Sequence, residues 1–286
     1  MPVRGCVFIS VAVMAAASCA PRHIEEVAVP KVKPHDTRQI PAAEGWLPHR
    51  VSATSSYLIR DSASVAIKED STRPSLLEET MLLIITAQKS GDSLEITARV
   101  ESLTVTSHSP IQSTVSDSTA LRLFHVVATS SGRIISLKGA ESTQCLNAND
   151  PAVARIFETT LTYPPSRIKA GDTWSDTVSL VTCRGKTMVT QVTTRQYKML
   201  ERITSADGNI IKLHRNTATL MSATAVNNSN HLTATGVGSS TATLDVDENT
   251  GDLQKSDGES SSIVTVTTSR GTYPFIQHII THIEKL

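Results

Sequence analysis

The sequence predicts an all-β protein: a large, mainly antiparallel sheet, curved or closed into a partial barrel, with one short central helix. Three observations predict it. Ser and Thr make up about a quarter of the 286 residues, and Thr is a strand former. Beyond residue 56, apolar and polar residues alternate in β-branched runs, the period of a strand with one buried face. Turn chemistry separates the runs, at Lys89-Ser90-Gly91-Asp92, Asp207-Gly208-Asn209, Asn249-Thr250-Gly251-Asp252 and Ser269-Arg270-Gly271. A sheet of ten or more strands has to curl or close to protect its edges.

The chain opens on a leader. Residues 1–18 carry a positive charge at Arg4, an apolar run from Cys6 to Ala17 and a small-residue exit, a pattern too short for a permanent membrane span and matching a signal peptide. The exit Ala16-Ala17-Ser18-Cys19 resembles a bacterial lipobox, with Ala16 where Leu is usual. That resemblance implies a diacylated Cys19 as the mature N-terminus, held in a membrane by acyl chains worth about 0.8 kcal/mol per buried CH₂. Ala20 after the cysteine resembles the outer-membrane address of enteric bacteria, and so implies an outer-membrane anchor facing the periplasm. Ordinary cleavage after Ala17, leaving a free secreted or periplasmic protein, is the alternative.

Residues 19–56 hold five of the twelve prolines, Pro21, Pro30, Pro34, Pro41 and Pro48, and read as a stiff, extended tether. Trp46 and Leu47 are its candidates for docking back onto the folded domain. Of the four cysteines, Cys6 leaves with the leader and Cys19 takes the lipid. Cys145 and Cys183 remain in an oxidising compartment, where one disulfide is the economical outcome. It would close a loop of about 38 residues, worth about 3–4 kcal/mol in the chain-entropy picture. Metal ligation by these two lacks a CxxC spacing or a nearby His pair.

The β-rich domain spans 57–286, with strands predicted over 57–68, 76–88, 94–106, 120–129 and 133–139, and then over 173–181, 187–202, 210–222, 232–246, 253–257, 262–268 and 273–283. Two similar halves, 57–148 and 163–286, are suggested by a weak repeat. Ser118-Thr119-Ala120-Leu121, Gly132 and Gly139-Ala140-Glu141-Ser142 are echoed by Ser240-Thr241-Ala242-Thr243, Gly251 and Gly258-Glu259-Ser260. Between the halves, Asp150 as cap and Pro151 as first residue predict a helix over 151–159. Tyr163-Pro164-Pro165 and Gly171-Asp172-Thr173-Trp174 end that helix and launch the next strand. With 3% aromatic residues, Trp174 is expected to be a core anchor.

The run 163–176, Tyr-Pro-Pro-Ser-Arg-Ile-Lys-Ala-Gly-Asp-Thr-Trp-Ser-Asp, resembles the Pro…Gly-Asp-Thr-Trp signature of an uncharacterised bacterial lipoprotein family. Members are similar in signal peptide, twin β-rich halves and a Gly-rich late strand, here Thr235-Gly236-Val237-Gly238-Ser239. The resemblance covers roughly residues 75–285 and implies architecture and location, with Gly171, Asp172, Thr173 and Trp174 as its structural motif. The expected curved sheet with a helix is loosely similar to periplasmic lipid and lipoprotein carriers.

Candidate chemistry is sparse. With 27 basic and 27 acidic residues the chain lacks the excess Lys and Arg that nucleic-acid binding needs. Asp245, Asp247 and Asn249 are spaced like a calcium loop, but Gly251 falls one place late and Ser256 stands where a bidentate Glu belongs, so a hairpin turn is the better reading. His278 and His282 share a face without a Glu or third ligand, in a C-terminal segment that fits strand or helix. No G-x-S-x-G elbow or phosphate-cradling Gly loop occurs. The expectation is therefore a non-enzymatic, cofactor-free, lipid-anchored envelope protein that binds a lipophilic ligand in a concave sheet. The alternative is a structural or protein-binding module that acts through an exposed sheet edge.

Overall fold

Alternation lays down strands of unusual length. The computed structural model describes residues 45–46, 48, 53–68, 70–108, 113–118, 122–139, 146–147, 151–184, 187–205, 208–227, 230–269 and 271–286. Within them run β1 (Ala53–Ile67), β2 (Asp70–Ser90), β3 (Ser93–His108), β4 (Ser113–Ser118), β5 (Arg122–Thr129), β6 (Ile134–Gly139) and β7 (Leu146–Asn147). Helix α1 (Pro151–Thr159) follows, and then β8 (Thr173–Arg184), β9 (Thr187–Ser205), β10 (Gly208–Asn227), β11 (Asn230–Asp247), β12 (Leu253–Thr268) and β13 (Gly271–Lys285). The leader, Cys19, most of the tether, Cys145 and the Asp150 cap lie outside the described residues.

The strands form one sheet in the order β6-β5-β3-β2-β1-β13-β12-β11-β10-β9-β8-β7, with β4 paired to β3, nearly closed into a barrel. Two up-and-down meanders meet where β1 pairs with β13, so the first and last long strands hold the sheet together at its middle. Every pairing is antiparallel except β7 with β8. The all-β, single-helix architecture is as the sequence predicts. Register shifts at Val65/Ile67, Leu82/Leu83, Lys212/Leu213 and Asp245/Val246 mark bulges, which sharpen local twist and help so long a sheet to curl.

Several boundaries differ from expectation. Segments 253–257 and 262–268 are one strand, β12, because its middle alternates small and polar residues and gives no hydrophobic signal. The C-terminus, open between strand and helix in the sequence, is strand β13. Strands β4 and β7 were not foreseen. The folded part also reaches into the segment read as tether: β1 begins at Ala53, and Trp46, 5% exposed, bridges Ile168 by hydrogen bonds in both directions.

The apolar core lies on the concave face and is continuous from Leu83, Ile96 and Val126 on one side to Ile211, Leu213 and Leu244 on the other. Helix α1 packs into it through Ala152, Val153 and Ile156. The 160–168 segment follows the helix against the β5–β6 turn, where Tyr163 N–H donates to the Ser131 carbonyl at 2.8 Å. Gly132 has φ +88° in that turn, and a Cβ there would run into the Leu161 carbonyl oxygen. Only glycine fits.

Candidate functional site

Cross-strand register arranges the inward residues in rows, and their character changes along the strands. Nearest the turn that joins β11 to β12 the rows are apolar: Ile59, Met81, Leu213, Leu244 and Ile283 are all fully buried. The next rows are charged. Asp61 of β1 stands opposite Glu79 of β2 and Thr281 of β13, and Arg215 of β10 stands opposite Tyr197 of β9.

These charges hold the helix. Arg155 of α1 donates through Nε to Asp61 Oδ2 at 2.9 Å and through Nη1 to Glu158 Oε2 at 2.6 Å. Burial works against its positive charge, but the carboxylates of Glu158, Asp61 and Glu79 outweigh that and raise its pKa. Burial likewise pushes the Asp61 carboxyl above the usual carboxylate range, and the nearby Arg155 only partly offsets this.

Arg195 of β9 takes the other end of the helix. Its Nη1 donates to the carbonyls of Phe157 (2.7 Å) and Thr160 (3.0 Å), while Nε donates to Asp176 Oδ1 at 2.9 Å. Arg215 Nη1 donates to the Glu158 carbonyl at 3.1 Å. The last carbonyls of a helix have no partners within it, and a cation there also meets the favourable end of its dipole. Two arginines on neighbouring strands thus cap α1.

Beyond this charged girdle, past the buried pair Ala63 and Ile279, the wall turns small, polar and uncharged. One row runs from Val65 through Gln277, Ser262, Gly238 and Thr219 to Thr193, each opposite the next. Thr193 and Thr219 share a hydrogen bond at 3.0 Å, and Gln191 Nε2 donates to Thr193 Oγ1 at 3.1 Å. Gln277 and Ser262 are both 3% exposed, yet neither the carboxamide of Gln277 nor the hydroxyl of Ser262 has a hydrogen-bond partner. Farther out lies a small separate apolar cluster of Val189, Ala223 and Ala234, with Met221 and Val266 packed against it.

The sequence-predicted motif is structural in its contacts. Gly171, at φ +93°, donates its N–H to the Met199 carbonyl, and Asp172 Oδ2 accepts from Lys169 N–H at 2.8 Å, which fixes the turn into β8. Thr173 is the first residue of β8. Trp174 stacks on Tyr197 with ring centres 5.4 Å apart, and its Nε1 donates to the Thr162 carbonyl at 2.7 Å. An open groove of about 410 Å³ runs beside this turn, lined by Pro164, Arg167, Ile168 and Trp174.

The metal candidates separate. Asp247 Oδ1 accepts the N–H groups of Asn249 and Thr250, each at 2.8 Å, so it caps its own turn. His278 and His282 point outward and pair with Glu259 (2.7 Å) and Asp257 (2.6 Å) on β12. Cys145 lies outside the described residues. Cys183 is in β8, where its backbone partner is Asn147 of β7, and Leu146, which follows Cys145 in the chain, pairs with Thr182.

The girdle and the polar row were missed in the sequence. Their signal is an inward-parity polar residue within an alternating run, as in Arg195-Gln196-Tyr197-Lys198-Met199, where arginine shares the face of two buried hydrophobes.

No family model matches the chain, and no curated protein matches it. Among solved structures it is similar to an outer membrane channel from Pseudomonas putida F1, at 10% identity over 87% of this chain and 100% of that one, with a TM-score of 0.26. It is similar also to the outer membrane protein OprD from Pseudomonas aeruginosa, at 7% identity over 85% and 98% and a TM-score of 0.27. The beta domain of a Bordetella autotransporter matches at 7% identity over 81% and 99%, with a TM-score of 0.25. Superpositions this loose carry no argument about function.

Proposed function

We propose that the chain is an exported, non-enzymatic protein of the bacterial envelope, anchored through a lipid on Cys19, that holds a lipophilic ligand in the concave face of its sheet. The observation that carries this reading is the unequal filling of the interior. Helix α1 and the 160–168 segment pack into the apolar end, whereas on β1, β10, β11 and β13 the continuous core stops at the charged girdle. Past it the wall carries Gly238, Ser262, Thr219 and a separate apolar cluster, a concave surface of small residues. The leader, the lipobox-like exit and the proline-rich segment supply the export route, the anchor and the stand-off. Cys145 and Cys183 form its one disulfide in this reading.

One experiment tests both parts. Cys19→Ser in the full-length chain should move the protein from the membrane fraction to the soluble envelope fraction. Solvent extraction and mass spectrometry of that released protein should then yield a recurrent, near-stoichiometric lipophile. Unchanged membrane partition removes the anchor, and an empty protein removes the ligand.

A second reading has its own observation. Among the described residues, β8 has a strand on its outer side only at Thr182 and Cys183, which leaves a long sheet edge along Thr173–Val181. An extended segment of a partner protein adding to that edge would make the chain a protein-binding module.

A further inference from the structure

Buried polar atoms without a hydrogen-bond partner occur in the girdle, at Asp61 Oδ1, Arg215 Nε, Thr160 Oγ1 and the Tyr197 hydroxyl, and again in the outer row, where two adjacent side chains are unmet at every polar atom. Around α1 each buried arginine meets a carboxylate or a carbonyl, and in the outer row Thr193, Thr219 and Gln191 bond to one another. Gln277 and Ser262 do not. They are direct cross-strand neighbours on β13 and β12, and both are inward and 97% removed from solvent. Between them they offer an unmet amide donor, an unmet carbonyl acceptor and an unmet hydroxyl. Natural interiors rarely leave such groups unpaired, because each costs the full desolvation of a polar atom. A cluster of three in one place points to a partner the chain itself does not provide.

The surroundings narrow the chemistry. Gln277 lies four residues along β13 from Thr281, about 13 Å at the rise of an extended strand, so it sits past the Asp61–Arg155 pair. Its row contains no charged side chain among the described residues. A charged group placed there would lose its hydration without gaining a counter-charge. A hydroxyl, in contrast, both donates and accepts, and two neighbouring hydroxyls match a carboxamide beside a serine. Farther out the wall becomes apolar at Val264, Met221, Val189, Ala223 and Ala234. Polar floor and apolar rim together fit a molecule with a small neutral head and a hydrocarbon tail.

We propose that Gln277 and Ser262 are the head-group contacts of a binding site for an uncharged, hydroxyl-bearing amphiphile, of the monoacylglycerol class, whose tail lies along the Val189–Ala223–Ala234 rim. The proposal rests on the ligand-binding reading above and names the polar end of that site.

The probes are 1-decanoylglycerol and propyl decanoate, which share chain and ester but differ in the two hydroxyls. Titrated into the full-length protein carrying Cys19→Ser, 1-decanoylglycerol should bind at least tenfold more tightly. In the double variant Gln277→Leu/Ser262→Ala the preference should fall to within twofold, with propyl decanoate affinity unchanged and thermal stability equal or higher. If neither probe binds the parent protein, the ligand-binding reading itself fails. Should both bind equally, or should the preference survive in the folded variant, that reading stands and the Gln277–Ser262 site is overturned. A second measurement needs no variant at this site: the side-chain amide signal of Gln277 should shift on adding 1-decanoylglycerol, and an unmoved signal overturns the proposal.

Discussion

The two ends of the concave face are built from the same strands and share one register, yet they are filled on different principles. At the end beside the β11–β12 turn, β10 offers Ile211 and Leu213, β11 offers Leu244 and Val246, and α1 lies across them. A few residues farther along, the same two strands offer Thr217 and Thr219, and Ser240 and Gly238. Arg155, Arg195 and Arg215 stand at the border. The difference teaches that the helix is placed by charge at its rim as much as by apolar burial, because its Phe157 and Glu158 carbonyls end where the apolar wall ends and guanidinium groups meet them there.

The strongest way to break the comparison is to remove the border. Arg195→Met keeps side-chain length but leaves Asp176, whose side chain is 2% exposed, without its counter-charge, and strips the donors from the Phe157 and Thr160 carbonyls. Unfolding in urea should show a loss of about 3–5 kcal/mol. A loss under about 1 kcal/mol would mean that apolar packing alone seats the helix.

A paired truncation sharpens the contrast between the ends. Leu213→Ala, in the filled end, should cost about 2–5 kcal/mol. Thr217→Ala, four residues along the same strand and also inward, should fall within about 0.5 kcal/mol. Equal costs at the two positions would remove the idea that one end is core and the other is wall.

The smallest expected effect tests the charge balance inside the border. Burial raises the Asp61 pKa in the folded protein, so between the ordinary carboxylate value and that raised value the native state binds more protons than the unfolded chain. Stability should therefore decline as pH rises through this window and remain lower above it. Asp61→Asn removes the titration, and denaturant midpoints measured from pH 4 to pH 8 should lose that component of the decline. A variant with the parent's full slope would assign the pH dependence to other groups.

How legible each part was in the sequence follows the same border. Hairpins such as β2–β3 and β9–β10 were readable because alternation between buried and exposed positions is strong where one face meets an apolar core, and their turns carry glycine at Gly91 and Gly208, both with positive φ. In β12 the inward positions Gly258, Ser260 and Ser262 are no more apolar than the outward Glu259 and Ser261, so the period vanished and one strand read as two. Ser262 borders that stretch and Gln277 lies within the isoleucine-rich β13, so both fall in predicted strands, and only the β12–β13 register brings them together. Trp174 was foreseen as an anchor because scarce aromatics must carry burial, but its stacking on Tyr197 was not, since the pair meets only through the β8–β9 register.

By itself, then, the sequence determined what is local. Period-two patterning made strands, glycine turns separated them, Pro151 opened a helix, and the leader and its cysteine supplied the features from which export and anchoring are argued. Tertiary structure alone decided what the inward faces meet. Whether Arg195 is a solvated cation or the cap of a helix, and whether Gln277 and Ser262 are neighbours with nothing to bond, depends on strands brought side by side from distant parts of the chain, and register across a closing sheet is a property no single strand contains.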